Sequence, residues 1–435
     1  MTDLRSLGMA IRSGELSPTE HVTDVLERLA DDPHNLVVTV DAEGALAAAA
    51  TLTEELAHGR WRGPLHGVAL GVKDLIDVAG LPTRCGSNVL ADAPPAVADA
   101  AAVAKLRAAG AVVVAKLHTH EFAYGPVGDV AATGPARNPH DPTRITGGSS
   151  SGPAAAVAAG LVPLALGTDT GASVRTPAAL CGVVGLKPAY GHVSTAGVFP
   201  LAETLDHVGL LAADTHSAAV AWDILDRADG TGGGIQPPGV SGLRVGVPVD
   251  DYWRAADPVI AEGVAAALAG LEKAGARVVE VRTPMIEELA ATYPRIVGAE
   301  AYATHATWLA ERPGDYQPVT RARIAAFADQ PARDYVDALR ARRRLVPLLR
   351  EAVDEVDALV LATTRLRATP IGADTVDGVA VRPALLALTL PFNLTGWPAV
   401  SVPAPADGLP VGVQVVGVRL EERGVLRVAG AIAPA

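Results

Sequence analysis

Three short stretches hold the residues able to do nucleophilic chemistry. The first, GTDTGASVRTPAAL (Gly167–Leu180), crowds side-chain-poor residues directly ahead of Ser173. Gly171 and Ala172 let backbone come close to a substrate carbonyl. Backbone N–H groups aimed at a developing oxyanion are a large aid to acyl transfer. A glycine-rich turn before a helix is the plain alternative for the same residues. The second stretch, GGSSSG (Gly147–Gly152), contains a G-x-S-x-G match centred on Ser150. A nucleophile elbow of that pattern follows a buried strand. Here the preceding NPHDPTRIT is polar and proline-broken, which counts against it. The third is Lys73, at the end of the apolar run GVALGV in a chain with five lysines. A strand-end lysine ordinarily reaches solvent, but one held in apolar surroundings gives up its charge readily and can act as a base. No S-x-x-K ends on any lysine and no Gly-Lys dipeptide occurs, which excludes a β-lactamase-type arrangement and a P-loop.

The elements that position these stretches follow from periodicity. SPTE (Ser17–Glu20) is a capping box with proline at the first helical position, opening a helix toward Leu29. A second helix is predicted over 41–58, so the first sixty residues read as helical. GVALGV and AVVVAK are short apolar runs suited to strands buried on both faces, with a helix between them near 96–109. The segment 128–191 reads as loop-rich around one helix at 154–159. ADGTGGGIQPPGVSG (228–242) reads as a linker. Beyond it come the strands LRVGVP and ARVVEV around a helix at 258–273. Helices dominate over 286–353, and DALVLA and VGVQVVG return to strands. Strand, helix and strand at this spacing indicate an α/β fold.

At 435 residues and 49% hydrophobic, the chain can bury a large core. A net charge of −12 argues against nucleic acid or an anionic membrane as the main partner. No apolar stretch reaches bilayer-spanning length, and Cys85 and Cys181 form no CxxC pair. A soluble cytoplasmic protein, monomeric or homodimeric, is expected. His118 and His120 in HTHE lack a third ligand cluster, so no metal is expected, and Cys181 in ALCGVVG reads as core.

Taken in order, the three stretches resemble the amidase signature family, whose members use a Ser–Ser–Lys triad. The resemblance runs through GVKDLIDVAGLPTRCGS, NPHDPTRITGGSSSG, GTDTGASVRTPAALCGVVGLKP and, more loosely, LAETLDHVG. Weaker echoes lie in PFNLTGWPAVSVP and GVQVVG, so it covers the chain from about residue 60 onward. It implies a single large α/β domain, a twisted mixed β-sheet covered by helices. Within it, 1–60 would be N-terminal helices, 61–227 the catalytic core, 228–242 the linker and 243–435 the part shaping the pocket. It implies an amidase acting on a small-molecule amide, without cofactor.

Carried onto this chain, Ser173 is the nucleophile, Lys73 the base and Ser149 the bridge between them, after a cis Gly148–Ser149 peptide. The backbone of Thr170, Gly171, Ala172 and Ser173 forms the oxyanion hole, and Tyr124 and Gly148 meet substrate. The hydroxyls of Ser149 and Ser173 are expected at the Lys73 amine, with Asp74 turned to the other side. Asp169 and Arg175 are expected to pair and brace the loop. Many relatives have Gly-Gly where this chain has Gly171-Ala172, and a serine where it has Pro153. LATTRLRATPIG departs from a proline-bearing pattern and introduces Arg365 and Arg367, which could meet an anionic substrate group but are expected to reach solvent. Two other readings are a component of an amidotransferase complex and a non-catalytic binding relative. The acidic balance weighs against the former, and the intact Lys73, Ser149 and Ser173 set against the latter.

Overall fold

Residues 3–226 and 239–433 are described by a computed structural model of the chain. Most of the expected linker, residues 228–238, lies outside the described residues. One mixed sheet of eleven strands organises the remainder. In chain order these are β1 (Val37–Val40), β2 (Ala69–Lys73), β3 (Val112–Leu117), β4 (Leu164–Asp169), β5 (Val184–Lys187) and β6 (His207–Ala212). They continue with β7 (Arg244–Pro248), β8 (Arg277–Val281), β9 (Ala358–Ala362), β10 (Ala399–Ala404) and β11 (Val411–Gly417). Across the sheet they run β1-β3-β2-β4-β6-β5-β10-β11-β9-β7-β8. β3, β2 and β4 are mutually parallel, as are β9, β7 and β8, while the strands between them pair antiparallel.

Helices cover both faces, which is why β2, β3 and β4 are buried at every residue. Leu70 and Val72 of β2 join a core cluster with Leu7, Leu106, Trp222 and Leu426 from helices on one face. Alternation then sends Lys73 to the other face. That face carries the helices Ser151–Ala158 and Arg175–Cys181, whose Ala155, Val157 and Ala178 pack on Ala165 and Val114. The helices Tyr293–Glu311 and Ala332–Ala352 cover Leu359, Leu361 and Val416 farther along the sheet. No helix of the described residues is long and apolar enough to cross a membrane.

The Ser17–Glu20 capping box is present in both directions, and the helix Pro18–Ala30 follows it. The predicted strands on either side of the helix Pro258–Lys273 are β7 and β8. Three expectations need correction. The 128–191 segment is not loop around a single helix, because it also contributes β4, β5 and the helix Arg175–Cys181. The glycines and threonines of LALGTD mask a strand that exists through parallel pairing with β2. The N-terminal sixty residues include the edge strand β1, whose short VVTV run is only half buried. The helix expected from residue 96 begins at Ala101. Residues 96–99 are instead held by loop bonds, Gly80 N donating to Ala96 O and Ala79 N to Asp99 Oδ1.

Asp74, just past β2, lies 3.1 Å from Lys116 Nζ of β3 with both side chains essentially unexposed. The contact is ionic and is not aligned as a hydrogen bond, and Lys116 also donates to Thr83 Oγ1 at 2.9 Å. Removing one partner of a buried pair strands the other charge. Lys116→Met is therefore expected to lower stability by about 3–5 kcal/mol, while Lys116→Met with Asp74→Asn recovers most of it. Urea midpoints measure both, and an unchanged midpoint for Lys116→Met would refute a stabilising pair.

Candidate active site

Lys73 ends β2, fully buried. Its Nζ donates to Ser149 Oγ at 2.7 Å and to Thr168 Oγ1 at 2.8 Å. Burial penalises the ammonium and lowers its pKa from 10.5 to about 7, against the opposing pull of Asp169 and Asp206. Asp74 turns away to Lys116, as alternation predicts. Thr168, which the sequence reading missed, takes the place expected for the Ser173 hydroxyl at the amine. Its signal could be found only by knowing that β4 lies beside β2.

The Gly148–Ser149 peptide is cis. Gly148 N donates to Pro126 O at 2.8 Å, which packs this glycine on the turn 125–128 and not on the cavity wall. Ser150, the centre of the G-x-S-x-G match, is buried. Its Oγ donates to Thr168 O at 3.1 Å and accepts from Thr168 N at 3.2 Å. That hydroxyl stitches the loop to β4, and no buried strand precedes it: residues Asp141–Ile145 form a short strand that is mostly uncovered. Ser151 Oγ meets His118 Nδ1 at 2.7 Å, and His118 Nε2 meets Gly134 O at 2.9 Å, so both nitrogens of that ring are occupied. His120 and Cys181 are fully buried.

The loop after β4 is set by Asp169 and Arg175, both fully buried. Arg175 Nη2 and Nε donate to the two carboxylate oxygens at 2.9 and 3.0 Å. Asp169 Oδ2 also accepts Val174 N at 3.1 Å. Burial alone would push this carboxyl up. The guanidinium, Lys187 and the Asn393 amide outweigh it and hold Asp169 well below the usual carboxylate range. The amides of Gly171, Ala172 and Ser173 donate to no acceptor among the described residues. A Cβ at Gly171 would sit 2.3 Å from Tyr293 Oη, so any side chain there would have to displace the opposite wall. Ala172 is buried, has no positive φ and does not line the cavity, so its methyl leaves the pocket unchanged. Thr170 Oγ1 donates to Asp206 Oδ1, whose other oxygen accepts Leu201 N and Ala202 N at 3.0 and 3.1 Å. Burial raises the Asp206 carboxyl to about 7.

Ser173 is 6% exposed and opens on a cavity of about 650 Å³. Its carbonyl accepts Ser150 N at 3.0 Å. Lys73 and Ser149 are thus in contact. Ser173 is joined to the serine loop through backbone, with no side-chain hydrogen bond to Ser149 among the described residues. Tyr124 and Thr170 line the cavity as well, and the sequence reading missed Tyr252, Tyr293, Arg323 and Arg382. Arg365 and Arg367 do not reach solvent freely. Arg365 donates to Tyr252 O and lies over the Tyr252 ring, and Arg367 Nε pairs with Asp257 Oδ2 at 2.7 Å.

The family described as Amidase matches residues 20–426. The chain is 37% identical to a glutamyl-tRNA(Gln) amidotransferase subunit of Symbiobacterium thermophilum, over 99% of this chain and 96% of that protein. It is 36% identical to AtzE of Pseudomonas sp. (strain ADP), a 1-carboxybiuret hydrolase subunit, over 96% and 95%. A solved amidase structure superposes with a TM-score of 0.91 at 39% identity, covering 99% of each chain. A structure of an unexpected vestigial protein complex, tied to the origins of an s-triazine catabolic enzyme, gives 0.92 at 35%, over 99% and 98%. A match across nearly the whole chain and a shared α/β architecture make this protein a member of the amidase signature family and a hydrolase of that class.

Proposed function

We propose that the protein hydrolyses a small-molecule carboxylic or ureido-type amide to acid and amine through an acyl-enzyme on Ser173. The observation that carries the reading is a buried Lys73 amine on Ser149 Oγ at 2.7 Å, in the serine loop whose Ser150 N bonds the carbonyl of the cavity-lining Ser173 at 3.0 Å. Neutral Lys73 accepts the Ser149 proton while Ser149 accepts that of Ser173, whose Oγ attacks the carbonyl carbon. The unengaged amides of Thr170, Gly171, Ala172 and Ser173 receive the oxyanion. The proton returns to the leaving nitrogen, and water then cleaves the ester by the same relay. The Ser149–Ser173 hydrogen bond closes when substrate draws the two hydroxyls together, since such bonds are often long before binding. The AtzE relative supports the ureido-type substrate.

A second reading, a component of an amidotransferase complex, is favoured by the 37% identity to the Symbiobacterium thermophilum protein. The net charge of −12 weighs against a direct tRNA contact. Hydrolysis of a simple amide by the purified chain alone decides for the first reading.

Three outcomes follow. Ser173→Ala is expected to abolish hydrolysis without unfolding, and a fluorophosphonate probe to label Ser173, while Ser149→Ala retains measurable turnover. Labelling on Ser150 would overturn the assignment. The rate is expected to rise with pH and level off above about 7, because only the neutral amine accepts a proton and burial brings Lys73 to about that value. A profile flat between about pH 5 and about pH 9 would remove Lys73 as the base. Lys73→Arg keeps the charge but cannot deprotonate, so kcat should fall about 10²–10⁴-fold.

A further inference from the structure

The proposed chemistry at Ser173 leaves two arginines in the cavity wall unexplained. The remaining wall is largely apolar or aromatic, with Tyr252, Tyr293, Phe327 and Leu390, and no Asp or Glu among the described residues lines it. Arg382 lies in the first turn of the short helix Val381–Leu386. Its Nη1 is buried without a hydrogen-bond partner, and Arg382 makes no ion pair among the described residues. Arg323, from the helix Pro318–Ala325, donates Nη1 to Tyr124 O at 2.8 Å. Asp129 and Asp374 act on Arg323 from outside the cavity wall, so its charge is partly balanced.

A guanidinium nitrogen removed from water and left unpaired costs free energy. An apolar wall keeps such a group at least cost when a ligand supplies the missing acceptor. The planar fork of an arginine fits a carboxylate with two parallel hydrogen bonds. A volume of about 650 Å³ holds a small organic molecule. We infer that the substrate is an amide whose apolar body carries a carboxylate, seated on Arg382 with Arg323 beside it while its amide carbonyl meets Ser173. This inference rests on the reading of Ser173 as nucleophile and narrows the substrate class.

The test compares dicarboxylic acid monoamides of increasing chain length with neutral alkanamides of matched length. At the best length, kcat/KM is expected to favour the anionic member by about 10- to 100-fold, the range of charge-assisted hydrogen bonds. Arg382→Gln should collapse that preference toward unity, mainly through KM, with Arg382→Lys intermediate. Should Arg382→Gln not fold, competitive inhibition of the unaltered enzyme supplies the same readout, with dicarboxylates binding more tightly than diols of equal length. A neutral preference at every length, or a preference unmoved by Arg382→Gln, would overturn the inference. The underlying reading fails separately, if hydrolysis of the neutral amides survives Ser173→Ala.

Discussion

The fully buried pair of Asp169 and Arg175 is the constraint from which the site is built. Isolated, either charge would be very costly to bury, so the pair persists only because every part of it is engaged. Asp169 takes two guanidinium bonds, the Val174 amide and the Asn393 amide. Arg175 spends its remaining donors on Thr389 O at 2.9 Å, Asn393 Oδ1 at 2.6 Å and Gln414 Oε1 at 3.3 Å. These bonds close the loop 170–174 into one geometry. They also tie it to residues more than two hundred positions later in the chain.

Electrostatics of the reacting end depend on that closure. With Asp169 saturated by donors, its charge is committed to Arg175, and burial wins at Lys73 despite the nearby acids. An uncompensated carboxylate in the same dry space would hold the ammonium charged. The two buried lysines of β2 and β3 show the contrast. Lys116 has Asp74 as a direct counter-ion, while Lys73 has only hydroxyls. Neighbouring strands in parallel register thus carry one lysine set against a carboxylate and one amine whose burial lets it lose its proton.

The cavity adds a second electrostatic layer. Its wall comes mainly from the C-terminal half, through Tyr252, Tyr293, Arg323 and Arg382, and meets the serine loops through Tyr124, Thr170 and Ser173. Gly171 is squeezed between these parts, against the Tyr293 hydroxyl. The small residues ahead of Ser173 therefore serve two needs: unengaged backbone donors, and room for the opposite wall.

Much of this is legible in the amino-acid sequence. Local signals place the capped helix at Ser17, the buried strands β2 and β3, and the helix Pro258–Lys273, because capping and apolar periodicity act over a few residues. Ordered motifs single out Lys73, Ser149 and Ser173, of which the fold sets the Lys73 amine on Ser149 and joins Ser173 to the serine loop through backbone. β4 and β5 escaped because their short, glycine-bearing runs become strands only through pairing with distant partners. Thr168 at the Lys73 amine, Asp206 behind Thr170, and the arginines of the cavity wall escaped for the same reason. The chain's own residue types determined which groups can carry the chemistry. Tertiary structure alone decided which hydroxyl reaches the amine, which acids are neutralised by pairing, and which arginine is left without a partner. Those outcomes depend on burial and on contacts between residues far apart in the chain, and local sequence encodes neither.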